Sequence, residues 1–264
     1  MAIYFSNVLT HVNGSGLLAE SASIEISPSF TPTNSLGFNG IIDQPPAGPV
    51  RTTISFSYTC VPESEPNYVN SSGLRTYLGD CPSVIHCAGI TAYPSYLERY
   101  SLRVESNSLI KASASYVCFI PLVGSLRNKL INLTYPGLTN SGVAHSWSSP
   151  QSSDPILSLN YDFSQKWDAI YSIGAANPVS VINYGGQSTL SVTKDTFVQP
   201  TFSGIDASDF MSPPSIQVNS LNIFCGEDGN SINLDMSNAK ISSTQLNGAT
   251  KDIVRTTTTL IKYH

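Results

Sequence analysis

The sequence predicts an all-β protein built of two tandem β-sandwich or half-barrel domains with few short helices. Apolar and polar residues alternate with a period of two, as along residues 50–58, which is typical of half-buried strands. Glycine, proline and asparagine interrupt such segments about every dozen residues, as in sandwiches and barrels. Serine, threonine and asparagine number 41, 20 and 19. Long helices are disfavoured because these side chains compete for backbone hydrogen bonds.

The alternation predicts the individual strands in chain order. Early strands are expected over residues 22–26 and 50–58. A hairpin is expected from residues 100–104 and 109–119, because Ser106, Asn107 and Ser108 between them favour a turn. Later strands are expected at 157–163, 188–193, 216–224, 232–236, 240–246 and 253–263. Short helices are expected only at 72–79 and 206–211.

Residues 138–155 divide the chain, since their serine, glycine and proline content provides neither a period nor a core. We therefore predict a first domain at 1–140, a linker at 141–155 and a second domain at 156–264.

An internal repeat is also indicated. The strand around Ile24 and the strand around Ile54 recur near Tyr161 and Leu190, at an offset near 137 residues. The alternative is the generic turn spacing that unrelated all-β segments share.

Charge limits the classes of function. Only 12% of residues are charged, and 18 acidic against 13 basic residues give a net charge of −5. This balance argues against a reader of nucleic acids, which needs clustered lysine and arginine. No apolar run is long enough for a membrane helix, and the first residues do not resemble a signal peptide. We therefore expect no membrane insertion and synthesis in a cytoplasm.

Two metal sites are conceivable, and neither is favoured. Cys81, His86 and Cys87, with Cys60, suggest zinc, but adjacent histidine and cysteine side chains rarely converge on one ion. Residues 225–230 suggest calcium, but the run is too short for an EF-hand loop. The five cysteines are odd in number, which favours free thiols, and we predict no metal and no cofactor.

No catalytic apparatus is recognisable in the sequence. The four histidines are scattered, no serine lies in a G-x-S-x-G motif, and Gly185-Gly186 lacks the lysine of a phosphate-binding loop. A pair of carboxylates for glycoside hydrolysis stays open, because its separation is a property of the folded chain. We predict that the protein is not an enzyme.

The segments ESASIEISPSF, SLGF and VRTTISFSY, followed by LSLNYDF, YSIG and STLSVTK as a second copy, resemble the tube domain of long-tailed bacteriophages. In tail tube proteins, each tube domain is a β-sandwich or half-barrel, and six domains close a ring around the DNA channel. The resemblance implies a virion tail protein, assembled in the cytoplasm of a host bacterium. Two domains in one chain imply rings of three chains, stacked into a tube with other tail proteins at its ends.

An acidic channel would let DNA pass without holding its phosphates. The acidic residues expected to face this lumen are Glu25, Glu98, Glu105, Asp235 and Asp252. Ring closure by sheet pairing requires strand edges, and the strands of Thr53 and Thr189 are the candidates.

The alternative is a β-sandwich binding module, such as a distal tail protein or a receptor- or glycan-binding protein. Aromatic side chains in loops would stack on sugar rings in such a module. The candidates are Tyr68, Tyr77, Tyr93, Tyr96, Trp147 and Trp167. Ordinary packing in a core or interface is the competing interpretation of these residues.

Overall fold

The computed structural model describes residues 9–13, 15–27, 50–59, 82–106, 108–125, 140–145, 156–173, 175, 177–196, 221–225, 230–234, 236–248 and 254–264. Every regular element within these ranges is a β-strand, so the predicted all-β class is confirmed. None of these residues belongs to a helix that is long and apolar enough to cross a membrane. The short helices predicted at 72–79 and 206–211 lie outside the described residues.

Fourteen strands are described. They are β1 (Leu9–Val12), β2 (Ser15–Ser27), β3 (Arg51–Thr59), β4 (Ser83–Cys87), β5 (Ile90–Glu105), β6 (Lys111–Cys118), β7 (Val123–Gly124), β8 (Asn140–His145), β9 (Ile156–Ile170), β10 (Ser180–Thr196), β11 (Leu221–Cys225), β12 (Asn230–Leu234), β13 (Lys240–Asn247) and β14 (Val254–Tyr263). The predicted hairpin is confirmed, because β5 and β6 pair antiparallel.

Strand β5 joins two parts of one antiparallel sheet, because its 16 residues pair with two different strands along one edge. Residues 90–95 pair with β4, and residues 99–105 pair with β9. The other edge of β5 pairs with β6 and β7. The sheet returns on itself through β4, β1, β2, β3 and β6, so six strands form a closed ring. On the far side of β5 the sheet continues through β9, β10, β14 and β13.

The alternation predicted for residues 50–58 is present in β3, where Ile54, Phe56 and Tyr58 are buried and the residues between them are half-buried. One apolar cluster includes these side chains and extends to Leu159 and Leu190 of the later strands. The two halves of the chain thus share a buried cluster across β5 and β9. The boundary between domains at 1–140 and 156–264 stays a prediction.

The first part of the predicted linker lies within the described residues. Residues 140–145 form β8, which pairs with β11 in a separate sheet of the order β12, β11, β8. The backbone bonds of β11 give this segment a regular structure that its serine and glycine content does not predict. The rest of the linker, residues 146–155, lies outside the described residues.

Candidate assembly interface

Each half of the large sheet contains four strands in the same order. In the first half β2, β3, β6 and β5 lie side by side, and in the second half β9, β10, β14 and β13 do so. If the four strands of each set are numbered along the chain, both sets have the same order across the sheet: first, second, fourth, third. We call these sets the first sheet unit and the second sheet unit.

The cross-strand partners of the two units correspond. Ile24 pairs with Ile54 in the first unit, and Tyr161 pairs with Leu190 in the second. Residue 24 thus corresponds to residue 161, at the offset of 137 that the sequence indicates. Every other pair between β2 and β3 has its counterpart between β9 and β10, and the pairs of β3 with β6 recur between β10 and β14.

Irregularities in the ladders recur as well. The register between β2 and β3 skips Glu20, and the register between β9 and β10 skips Leu157, which is the corresponding residue. A bulge is set by local features of one strand and not by the spacing of turns. Its recurrence therefore distinguishes an internal repeat from the generic spacing of all-β segments.

The remaining hairpin of each unit shows a second recurring bulge. In the first unit Leu97 of β5 pairs with β6, and the next residue, Glu98, is skipped. In the second unit the corresponding Ile241 of β13 pairs with β14, and the next residue, Ser242, is skipped. The internal repeat is therefore visible in strand order, in register and at two bulges.

The two units meet at what we call the internal junction, the pairing of residues 99–105 of β5 with residues 158–164 of β9. Leu102 lies opposite Tyr161 and Tyr100 lies opposite Phe163, and all four side chains are buried. The rings of Tyr100 and Tyr161 meet edge to face, with centroids 6.4 Å apart. The last strand of one unit therefore joins the first strand of the next through a continuous apolar seam.

The two outer edges are formed by β2 and β13, which correspond to the junction strands β9 and β5. Among the described strands, residues 19–27 of β2 pair only with β3, and β13 pairs only with β14. Ile26 is 56% exposed, whereas the corresponding Phe163 is 3% exposed. Leu246 is 37% exposed, whereas the corresponding Leu102 is 1% exposed. Positions that the internal junction buries are thus open at both outer edges.

The edges predicted from sequence need correction. Thr53 lies in β3, between β2 and β6, and Thr189 lies in β10, between β9 and β14. Both strands are central because each is paired on both sides. The alternation that marks these segments as strands carries no information about their neighbours, so the true edges were missed.

Opposite the apolar face, the sheet presents what we call the hydroxyl face. Serine side chains bond across neighbouring strands there, with Oγ atoms 2.9 Å apart between Ser55 and Ser115 and 2.8 Å apart between Ser101 and Ser113. The second unit continues the pattern with Ser191 and Thr259, whose hydroxyl oxygens lie 3.2 Å apart. Hydroxyl ladders of this kind stabilise a sheet and leave it with little net charge.

A cleft of about 730 Å³ lies on the hydroxyl face. Its lining comes from five neighbouring strands, β2, β3, β6, β5 and β9, so the cleft crosses the internal junction. The cleft holds one residue of each charge, Arg99 and Asp162. Partial burial raises the pKa of the Asp162 carboxyl, even though much of this side chain reaches solvent.

The predicted lumen residues occupy different surroundings. Glu25 is exposed on the outer edge strand β2. Glu98 is half-buried and accepts a bond from Arg51 Nη2 at 2.5 Å, and Glu105 accepts one from Arg103 Nη2 at 2.5 Å. The three described carboxylates therefore differ in exposure and in their partners. Asp235 and Asp252 lie outside the described residues.

Of the zinc candidates, Cys60 and Cys81 lie outside the described residues. His86 is exposed, with Nδ1 2.8 Å from Thr91 Oγ1, while the adjacent Cys87 is buried. Burial raises the pKa of the Cys87 thiol. The described residues contain no group of three potential metal ligands. Most of the calcium candidate, residues 226–229, is likewise outside them.

Two of the aromatic candidates are packed against each other. Trp167 is buried, its ring centroid lies 4.8 Å from that of Tyr96, and its Nε1 donates to the carbonyl of Leu97 at 2.7 Å. Tyr93 is exposed. Tyr68, Tyr77 and Trp147 lie outside the described residues.

No protein-family model matches the sequence, and no curated protein matches it either.

Proposed function

We propose that this chain is a structural subunit of the tail tube of a bacterial virus, which assembles with copies of itself into stacked rings around a channel for DNA. The observation that carries this proposal is the internal junction, where two equivalent sheet units join edge to edge. At its two outer edges the chain presents β2 and β13, the counterparts of the strands β9 and β5 that meet at this junction. Repetition of one head-to-tail contact generates a ring when the rotation closes.

The number of units sets the expected stoichiometry. In the tube domain family that the sequence resembles, six domains close a ring. Two sheet units per chain then require three chains. Ring closure also protects edge strands, which otherwise invite uncontrolled aggregation.

The hydroxyl face is the surface proposed to line the channel. A cleft crosses the internal junction on this face, and the serine and threonine ladders beside it are uncharged. Arg103 lies opposite Lys111 on this face, and each forms an ion pair with a carboxylate, Glu105 and Glu20 respectively. This pairing limits the positive charge that the wall offers to DNA phosphates. Other tail proteins would contact the two ends of the tube, and assembly would take place in the cytoplasm of the host bacterium.

Native mass spectrometry and negative-stain electron microscopy of the purified protein at increasing concentration test the proposal. We expect trimers and stacked rings with a central opening. A protein that stays monomeric at the highest soluble concentration contradicts it.

The alternative function, a β-sandwich binding module, is favoured by the cleft with Arg99 and Asp162, whose lining combines hydroxyl and aromatic side chains. Hydroxyl groups and a charge of each sign are suitable partners for a sugar. Binding to a glycan array by a monomeric protein, weakened by Arg99→Ala, would support this alternative over the tube.

A further inference from the structure

We infer that β13 of one chain pairs antiparallel with β2 of a second copy, in the register that the internal junction sets. This inference rests on the proposed ring assembly and specifies its contact. Strand β13 corresponds to β5, and β2 corresponds to β9. The pairing of β5 with β9 therefore serves as a template for a pairing between chains.

The correspondence fixes the residues that meet. Leu102 corresponds to Leu246 and Tyr161 corresponds to Ile24, so the pair of Leu102 with Tyr161 predicts that Leu246 lies opposite Ile24. One residue along, Gln245 lies opposite Glu25.

The faces agree in this register. Leu246 and Ile24 belong to the apolar side of the sheet, as their buried counterparts do, while Gln245 and Glu25 belong to the hydroxyl face. A shift by one residue would place Leu246 on the face opposite to its partner. The seam would thus cover Ile26 and Leu246, the side chains that the two edges leave exposed.

The charges also fit. In the inferred register, residues 243–247 of β13 lie opposite residues 23–27 of β2, and Glu25 is the only charged residue in these two segments. No two like charges meet, and the Gln245 amide can donate to the Glu25 carboxylate. A contact between two copies of β2 would place two Glu25 carboxylates in one seam, whereas the inferred contact places one there.

Two blocked chains test the contact. Ile26→Lys places a charge on β2 and leaves β13 intact, while Leu246→Lys does the reverse. Each variant alone is expected to be monomeric with unchanged β circular dichroism, since both positions are exposed in one chain. Mixed, the two are expected to form a 1:1 dimer that grows no further, measured by native mass spectrometry.

Cysteine pairs test the register. Gln245→Cys in the Ile26→Lys chain and Glu25→Cys in the Leu246→Lys chain are expected to form a disulfide after mixing under mild oxidation. Thr244→Cys in place of Gln245→Cys is the matched control, because its side chain points to the other face. The blocked chains without introduced thiols measure any disulfide from the natural cysteines.

The outcomes separate the two proposals. If the unmodified protein forms trimers but the blocked chains do not dimerise on mixing, or the Thr244→Cys control cross-links as well as Gln245→Cys, the inferred contact is wrong and the tube remains. If the unmodified protein forms no assembly, the tube and this contact both fail.

Discussion

The two sheet units share one backbone pattern but fill their apolar faces from different strands. In the first unit, Phe56 and Tyr116 stack with ring centroids 5.9 Å apart. Val192 and Leu260 stand at the corresponding positions of the second unit. Close packing requires filled volume, not a particular side chain at a particular site. The comparison shows that pairing order and bulges persist where side-chain identity does not.

In the first strand of each unit the larger apolar side chains belong to the second unit. Strand β2 places Ala22, Ile24 and Ile26 on the apolar side, whereas β9 places larger side chains there, including Tyr161 and Phe163. Strand β9 is covered by β5, and β2 has no described neighbour along residues 19–27 except β3. The difference between the units is therefore concentrated at their outer edges.

The largest expected effect comes from truncating corresponding leucines. Leu102→Ala should lower the free energy of unfolding by about 2 to 5 kcal/mol, because it leaves a cavity in the internal junction. Leu246→Ala should cost less than about 1 kcal/mol in the monomer, because the side chain is partly in solvent there. Urea unfolding of monomeric protein measures both, and equal losses would contradict the assignment of β13 as an open edge.

A smaller effect is expected at Gly186, which corresponds to Val50 because Gln187 corresponds to Arg51. A Cβ atom on Gly186 would lie 3.0 Å from the Phe163 ring and 3.1 Å from the Ser164 carbonyl oxygen. Phe163 is buried and has little room to move, so Gly186→Ala should destabilise by about 1 to 3 kcal/mol. Val50→Ala, at an exposed site, is the control and should change stability by less than about 0.5 kcal/mol. Thermal unfolding that shifts equally for both would show that the Phe163 contact is unimportant.

The hydroxyl face provides a comparison in which the units should behave alike. Ser55→Ala removes the bond to Ser115, and Ser191→Ala removes the corresponding bond to Thr259. Each should cost about 0.5 to 1.5 kcal/mol, the usual net contribution of one hydrogen bond. Urea unfolding of both variants checks this, and a loss in only one unit would mean that the shared ladder does not stabilise both.

Sequence patterns predicted the strands of both sheet units, because burial on one face imposes alternation, but they did not predict β1, β4, β7 and β8. The segments around Ile54 and Leu190 are examples, and the spacing between them was enough to suggest the repeat. The edges were not predictable, since Thr53 of a central strand and Ser23 of an outer strand lie in equally alternating segments. The candidate site depends on which strands are neighbours, and this is decided by pairings across more than 50 residues of chain, such as β5 with β9.

The smallest expected effect is a pH dependence of stability that distinguishes the bulge at Glu20 from the corresponding bulge at Leu157. Glu20 occupies the bulge of the first unit and accepts bonds from Thr59 Oγ1 at 2.6 Å and Lys111 Nζ at 3.0 Å, while the second unit has Leu157 there. The hydrogen bond from Thr59 and the contact with Lys111 lower the pKa of the Glu20 carboxyl in the folded chain. A carboxyl whose pKa is lowered by folding stabilises the protein above its unfolded pKa and loses this contribution as the pH falls through its folded pKa.

Glu20→Gln should therefore cost stability near neutral pH, by less than about 1 kcal/mol because the group is exposed. The difference from the unmodified protein should shrink as the solution is acidified below the ordinary glutamate pKa. Urea unfolding at a series of pH values measures it, and Lys111→Met is the partner control, since it removes one cause of the shift and should reduce the same acid-dependent difference. A cost for Glu20→Gln that stays constant from neutral to acidic pH would mean that the bulge contributes through its shape alone, as the uncharged Leu157 bulge must.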